Sequence, residues 1–168
     1  VAFGADNDVT LTHVADTGLN IKNTATGDDK PVVLTLQTGE TDIAQDDVLG
    51  TINFQAPDEG TGTDAILVAA GISAISEGDF SSSSNATKLV FKTGASEAAA
   101  AKMNLTSSGK LEVLSGGIDV EGGAVFNEDS ADADFRVESN GNTHMLFVDG
   151  GNDGVGIGTS SVDTAATL

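Results

Sequence analysis

Hydrophobic residues recur at every second position along much of this chain, in short runs. Val9, Leu11 and His13 alternate with Thr10 and Thr12, and Val32, Leu34 and Leu36 alternate with Val33, Thr35 and Gln37. The same rule holds in residues 52–56, 89–92, 103–106, 110–114, 118–120, 135–137 and 155–157. Period two is the signature of half-buried strands, because successive side chains leave opposite faces of a sheet. Between the runs stand clusters of Gly, Asn, Asp and Ser, the residues that turns require. Asn140-Gly141 predicts a hairpin, since both positions of a tight hairpin turn need positive φ. Residues 150–154 and Ser107-Ser108-Gly109 predict two more. Residues 145–148 are apolar on both faces and predict a strand buried on both sides.

Two stretches depart from the alternation. Residues 96–102 (SEAAAAK) have high helix propensity and a capping serine, but span under two turns. Isolated short helices are marginal in water, so this stretch reads as a loop with at most one helical turn. Residues 65–75 (AILVAAGISAI) read as a strand with a bulge or bend, because Gly71 and the β-branched residues disfavour a helix.

Composition narrows the function. Of 168 residues, 74 are Gly, Ala, Ser or Thr, and only 44 are Val, Leu, Ile, Phe or Met. There is no Cys, which excludes disulfides, thiolate metal sites and cysteine catalysis. The net charge of −19 argues against nucleic acid or an anionic membrane as partner. No apolar run has the length of a membrane span, and no signal-peptide pattern opens the sequence. Small residues bury little area each, and the strong like charge opposes compaction. The patterning argues against disorder, so the thin apolar stripes are expected to be buried against further copies of the chain.

Charge divides the chain unevenly. Residues 1–47 carry −7, residues 48–114 carry −3 and residues 115–168 carry −9. The middle part also holds the longest apolar run and two long loops, 57–64 and 77–87. The expected organisation is a thin N-terminal β segment (1–47), a thicker middle β domain (48–114) and a thin C-terminal β segment with hairpins (115–168).

Catalytic and metal-binding patterns are sparse. His13 and His144 stand at strand ends without a paired carboxylate in any known motif. Residues 149–154 look superficially like a calcium loop, but Gly151 and Ser160 occupy positions where an EF-hand needs ligands. Residues 154–159 lack the Gly-Lys-Ser/Thr ending of a phosphate loop, and no Gly-x-Ser-x-Gly elbow occurs. Ser81 to Ser84 read as a flexible loop. Carboxylate pairs for glycoside hydrolysis lack the Trp and Tyr platforms that usually accompany them. The expectation is a protein with no enzymatic activity, no cofactor and no metal.

Several segments taken together resemble a family. Leu49-Gly50-Thr51-Ile52-Asn53-Phe54 is followed by an acidic, Gly-rich loop and Ala65-Ile66-Leu67-Val68. Lys88 to Gly94 (KLVFKTG), Ala101 to Val113 (AKMNLTSSGKLEV), His144 to Asp149 (HMLFVD) and Asp153 to Thr159 (DGVGIGT) complete the order. With Phe3 to His13 (FGADNDVTLTH), this succession resembles the repeat regions of bacteriophage tail fibres and related virion fibres, particularly those of marine phages. Thr159-Ser160-Ser161-Val162 departs from the usual Thr-Ser-Ser-Pro. No match to the self-cleaving chaperone domain of many such fibres is found, so the resemblance carries over no catalytic residue.

The resemblance implies an all-β, elongated homotrimeric fibre segment of the β-prism or interlocked-sheet type, carried on a virion and used in host attachment. Its partners would be two further copies of itself, other fibre or tail proteins, and a glycan or protein receptor on the host. Receptor contact is expected on the two long loops, at Asp58, Glu59, Thr61 and Thr63 and at Ser82, Ser84 and Asn85. Leu34, Leu36, Ile52, Phe54, Leu89, Phe91, Met103, Leu105, Leu111, Val113, Phe135, Val137, Phe147 and Ile157 are expected to form the buried stripes. Gly156 and Gly158 suit close approach between chains. A capsid decoration or head-fibre protein, a polysaccharide-degrading tailspike and a bacterial surface adhesin or calcium β-roll are the alternatives.

Overall fold

The computed structural model describes residues 1–3, 9–56, 62–127 and 132–162. These residues form an all-β fold of three antiparallel sheets, with a single 3₁₀ turn at Asp64–Ile66. They fall into two compact units, Val1–Gly117 and Ile118–Leu168.

The first sheet joins β1 (Ala2–Phe3), β2 (Val9–Val14) and β3 (Gly18–Asn23) in that order. Val14 pairs with Gly18, and Asp16 turns the corner at φ 58°. No strand follows until residue 48. The alternation in residues 32–37 predicts one, yet this stretch carries no ladder. Alternation gives a segment a preference for a pleated surface, but the chain supplies it with no neighbouring strand.

The second sheet is a meander of β4 (Val48–Gln55), β5 (Val68–Ser76), β6 (Thr87–Thr93), β7 (Ala100–Leu105) and β8 (Leu111–Val113). The expected irregularity in residues 65–75 is a bulge at Ala69: Phe54 pairs with Ala70, and Gln55 pairs with Val68. Gly71 sits where a Cβ would lie 3.0 Å from the Ile52 carbonyl oxygen, a close backbone approach that needs glycine. Residues 96–102 contain no helical turn, and their second half belongs to β7. The free edge of β6 offers a ladder, and this outweighs the weak helix propensity of the alanines. The β7–β8 hairpin turns at Gly109, with φ 82°.

The third sheet, in the second unit, holds β9 (Phe135–Val137), β10 (Leu146–Asp149) and β11 (Gly154–Ile157), with β10 central. The expected hairpin before β10 is present, but neither Asn140 nor Gly141 has positive φ. Pairing starts at Val137 with Leu146, too far apart for a two-residue turn. The connection closes on itself instead, with the Ser139 amide donating to the Asn142 carbonyl at 2.8 Å. Residues 118–120 form no strand.

Burial is sparse. Among the described residues, the only buried large apolar side chains are Val90 (3% exposed) and Phe147 (6%). The expected burial of residues 145–148 on both sides reduces to Phe147, because Met145 and Val148 are exposed.

Candidate functional site

Residues paired across an antiparallel ladder share a face, which fixes the two faces of the five-stranded sheet. One row runs Ile52, Ile72, Phe91, Met103 and Val113. The next row on the same face runs Gly50, Ala74, Leu89, Leu105 and Leu111. Phe54 and Ala70 extend it. Eight of the residues expected to form buried stripes therefore share one apolar face.

That face is open within the chain. Ile52, Phe54, Leu89, Leu105, Leu111 and Val113 are all exposed, with Leu111 at 58% and Phe54 at 56%. The expected burial fails at these positions, which remain exposed to solvent. Leu36 reaches this face from outside the sheet. A Cβ on Gly50 would meet the Leu36 Cβ at 3.1 Å, so the missing side chain is what seats this leucine. Leu36, Leu49, Ile52, Ile72, Ala74 and Leu89 help to line a shallow hollow of about 290 Å³. Leu34 remains exposed.

The opposite face is largely polar, and several of its side chains bond to one another, although the buried Asn104 Oδ1 has no partner among the described residues. Its central row runs Thr51, Ser73, Val90, Asn104 and Glu112. The Thr51 and Ser73 hydroxyls bond at 2.9 Å. At the end of β5, on the face of Ile72 and Ala74, Ser76 is fully buried; its hydroxyl donates to the Ala44 carbonyl and accepts from the Asp47 amide at 2.9 Å. The Asn104 amide nitrogen donates to Glu112 at 3.2 Å, and Lys110 pairs with the same carboxylate at 3.0 Å. Lys110, then Asn104, hold the Glu112 carboxyl below the usual glutamate range.

Of the loop residues expected to meet a receptor, Asp58, Glu59 and Thr61 lie outside the described residues. Thr63 stands just before the 3₁₀ turn that leads into β5. Ser82, Ser84 and Asn85 follow the other end of β5, between β5 and β6. The nine residues of β5 span about 26 Å between the described members of the set. The second loop is not the expected flexible one. Ser81 and Ser84 exchange backbone hydrogen bonds, the Glu77 amide donates to the Ala86 carbonyl, and the Phe80 amide donates to the Ile43 carbonyl at 2.9 Å. Glu77 in turn accepts from the Ser107 amide at 2.9 Å, and Ser107, first through its side chain and then through this amide, holds the Glu77 carboxyl below the usual glutamate range.

In the second unit, Phe135, Val137, Leu146, Val148, Val155 and Ile157 share one face, again largely exposed. Phe147 lies on the opposite face and is buried, as expected of it. It faces Gly156, and the His144 ring meets it edge-on at 5.0 Å. The space that Gly156 leaves is filled by this chain's own Thr159 carbonyl and Val162, rather than by another chain. An open cleft of about 770 Å³ is lined in part by Phe126, Phe135, Asp134, Asp149 and Asp153. Two of its carboxylates are engaged in turns: Asp134 accepts from the Gly150 amide, and Asp149 from Gly151 and Asn152. The Asn152 contacts hold the Asp149 carboxyl below its ordinary value. Among the described residues, no cluster of three His, Cys, Asp or Glu is placed to hold a metal ion.

The period-two pattern identified the exposed stripe on β4, β6, β7 and β8. It missed Ile72, Ala70 and Ala74, because the alanines of β5 blur its alternation. It also missed the Leu36 seat, which depends on a glycine distant in sequence. No protein-family model and no curated protein matches the chain.

Proposed function

We propose that this chain is a segment of a homotrimeric virion fibre of the bacteriophage tail-fibre kind. Three copies bring their apolar sheet faces together, and the assembled fibre spaces or presents a host-attachment element. Its role is structural and adhesive rather than catalytic. The observation that carries this reading is the inverted burial of the five-stranded sheet. Its polar face holds the buried positions Ser73 and Val90, while most large side chains of its apolar face are exposed.

A charge of −19 per chain opposes assembly, so apolar contact and salt screening must drive it. The order of fibre-like motifs favours three copies and a place on a virion.

Antibodies against this chain, used to label virions for electron microscopy, test the assignment. Label along tail-associated fibres is the expected result. Label spread over the capsid would favour a decoration protein, and label on uninfected bacterial surfaces would favour an adhesin.

A further inference from the structure

The chain carries 7 Lys and Arg against 26 Asp and Glu, yet Lys88, Lys92, Lys102 and Lys110 gather on the polar face of the five-stranded sheet. Lys88 and Lys92 flank Val90 at two-residue steps on β6, opposite Ile75 and Gly71 of β5. Lys102 is the extra residue where β7 bulges, between the pairs Phe91 with Met103 and Lys92 with Ala101. It lies one step from Met103, on the side of Asn104 and Glu112. Lys110 reaches Glu112 on the same side of β8.

The four lysines differ in their partners. Lys88 pairs with Asp46 at 3.5 Å, and Lys110 with Glu112 at 3.0 Å. Among the described residues, neither Lys92 nor Lys102 forms an ion pair. They stand side by side across β6 and β7, where like charges repel. Asn53 stands in the same row. It pairs with Gly71, the partner of Lys92, and its Oδ1 lies 3.0 Å from where a Gly71 Cβ would stand.

We propose that this end of the polar face binds an acidic polysaccharide through Lys92, Lys102 and Asn53. This deepens the attachment reading and rests on it for the choice of a host-surface glycan. Two unpaired ammonium groups complement a carboxylate or sulfate, and the Asn53 amide can bond sugar hydroxyls. Salt screens the chain's remaining charge beyond about 8 Å, so the local pair decides the attraction. A nucleic acid fits less well, because Phe54 and Phe91 lie on the other face and leave bases nothing to stack on.

Binding of the intact chain to immobilised alginate, dextran sulfate and neutral dextran tests the proposal, with mass photometry on the same sample. Alginate offers carboxylates and dextran sulfate offers sulfates, so the two identify the anion. Retention on at least one of them, and none on neutral dextran, is expected. Lys92→Gln with Lys102→Gln should weaken that binding at least about tenfold. Lys22→Gln with Lys30→Gln removes the same charge elsewhere and should change it by no more than about threefold. Lys92→Arg with Lys102→Arg should retain it, which separates charge from a defect of folding. Four results overturn the site: no binding to either acidic glycan, equal losses from the two glutamine pairs, loss in the arginine pair, or equally tight binding of a single-stranded oligonucleotide. A trimer that gives any of these leaves the fibre reading standing. A monomer that binds as expected keeps the site and overturns the trimer.

Discussion

The two faces of the five-stranded sheet differ by a one-residue step along each strand, yet they have opposite fates within the chain. The row Thr51, Ser73, Val90, Asn104 and Glu112 is polar, internally bonded and partly buried. The row beside it, Ile52, Ile72, Phe91, Met103 and Val113, is apolar and lacks a cover. In a self-sufficient domain the apolar row is the buried one. The reversal supports our proposal that the apolar face is reserved for association. Substitutions on the two rows should therefore break different things.

The largest effect is expected from Phe91→Ala on the apolar row. In a filled trimer core it should cost about 3–5 kcal/mol per site and dissociate the assembly at micromolar concentration, as read by mass photometry. An unchanged trimer melting temperature would show that Phe91 packs against nothing. Val90→Ala, one residue away, should cost about 2 kcal/mol. That loss should appear in chain unfolding by circular dichroism at all concentrations, without a specific loss of trimer. If the two variants behaved alike, the distinction between the faces would be lost.

Smaller effects concern individual polar groups. Ser76→Ala removes a buried hydroxyl that bridges the Asp47 amide and the Ala44 carbonyl. It should destabilise the chain by about 1–2 kcal/mol in denaturant unfolding, with assembly of the folded chains unaffected. The smallest effect concerns acid. Glu77 and Glu112 have lowered pKa values in the folded chain, through Ser107 and Lys110 respectively. Their stabilisation is therefore complete above the unfolded glutamate value, and it is lost as pH falls through the lower folded value, below about pH 4.3. Amide exchange should then rise first at Ser107, whose N–H loses its carboxylate acceptor. Glu77→Gln should flatten that response.

The apolar face was legible because β4, β6, β7 and β8 alternate cleanly and pair in a simple meander. Ile52, Phe54, Leu89, Phe91, Met103, Leu105, Leu111 and Val113 follow from period two alone. What the pattern could not specify was partnership. Residues 32–37 alternate as well as β6 does, but pairing depends on a neighbour that local sequence does not encode. Residues 96–102 read as helix-prone because propensity ignores the waiting edge of β6. The burial of Phe147 was legible, but not its cause, a pairing with Gly156 and Arg136 that puts it on the face opposite Phe135. The Ser81–Ser84 turn was unreadable because its order comes from Ile43 and Ala86, not from the serines.

The oligomeric state of the intact chain at neutral pH and physiological salt tests the central claim most directly. Sedimentation equilibrium at micromolar concentration should give three chain masses, with the apolar sheet face protected from solvent. A monomer that unfolds cooperatively, with Ile52, Phe54 and Leu111 still exposed, would contradict it.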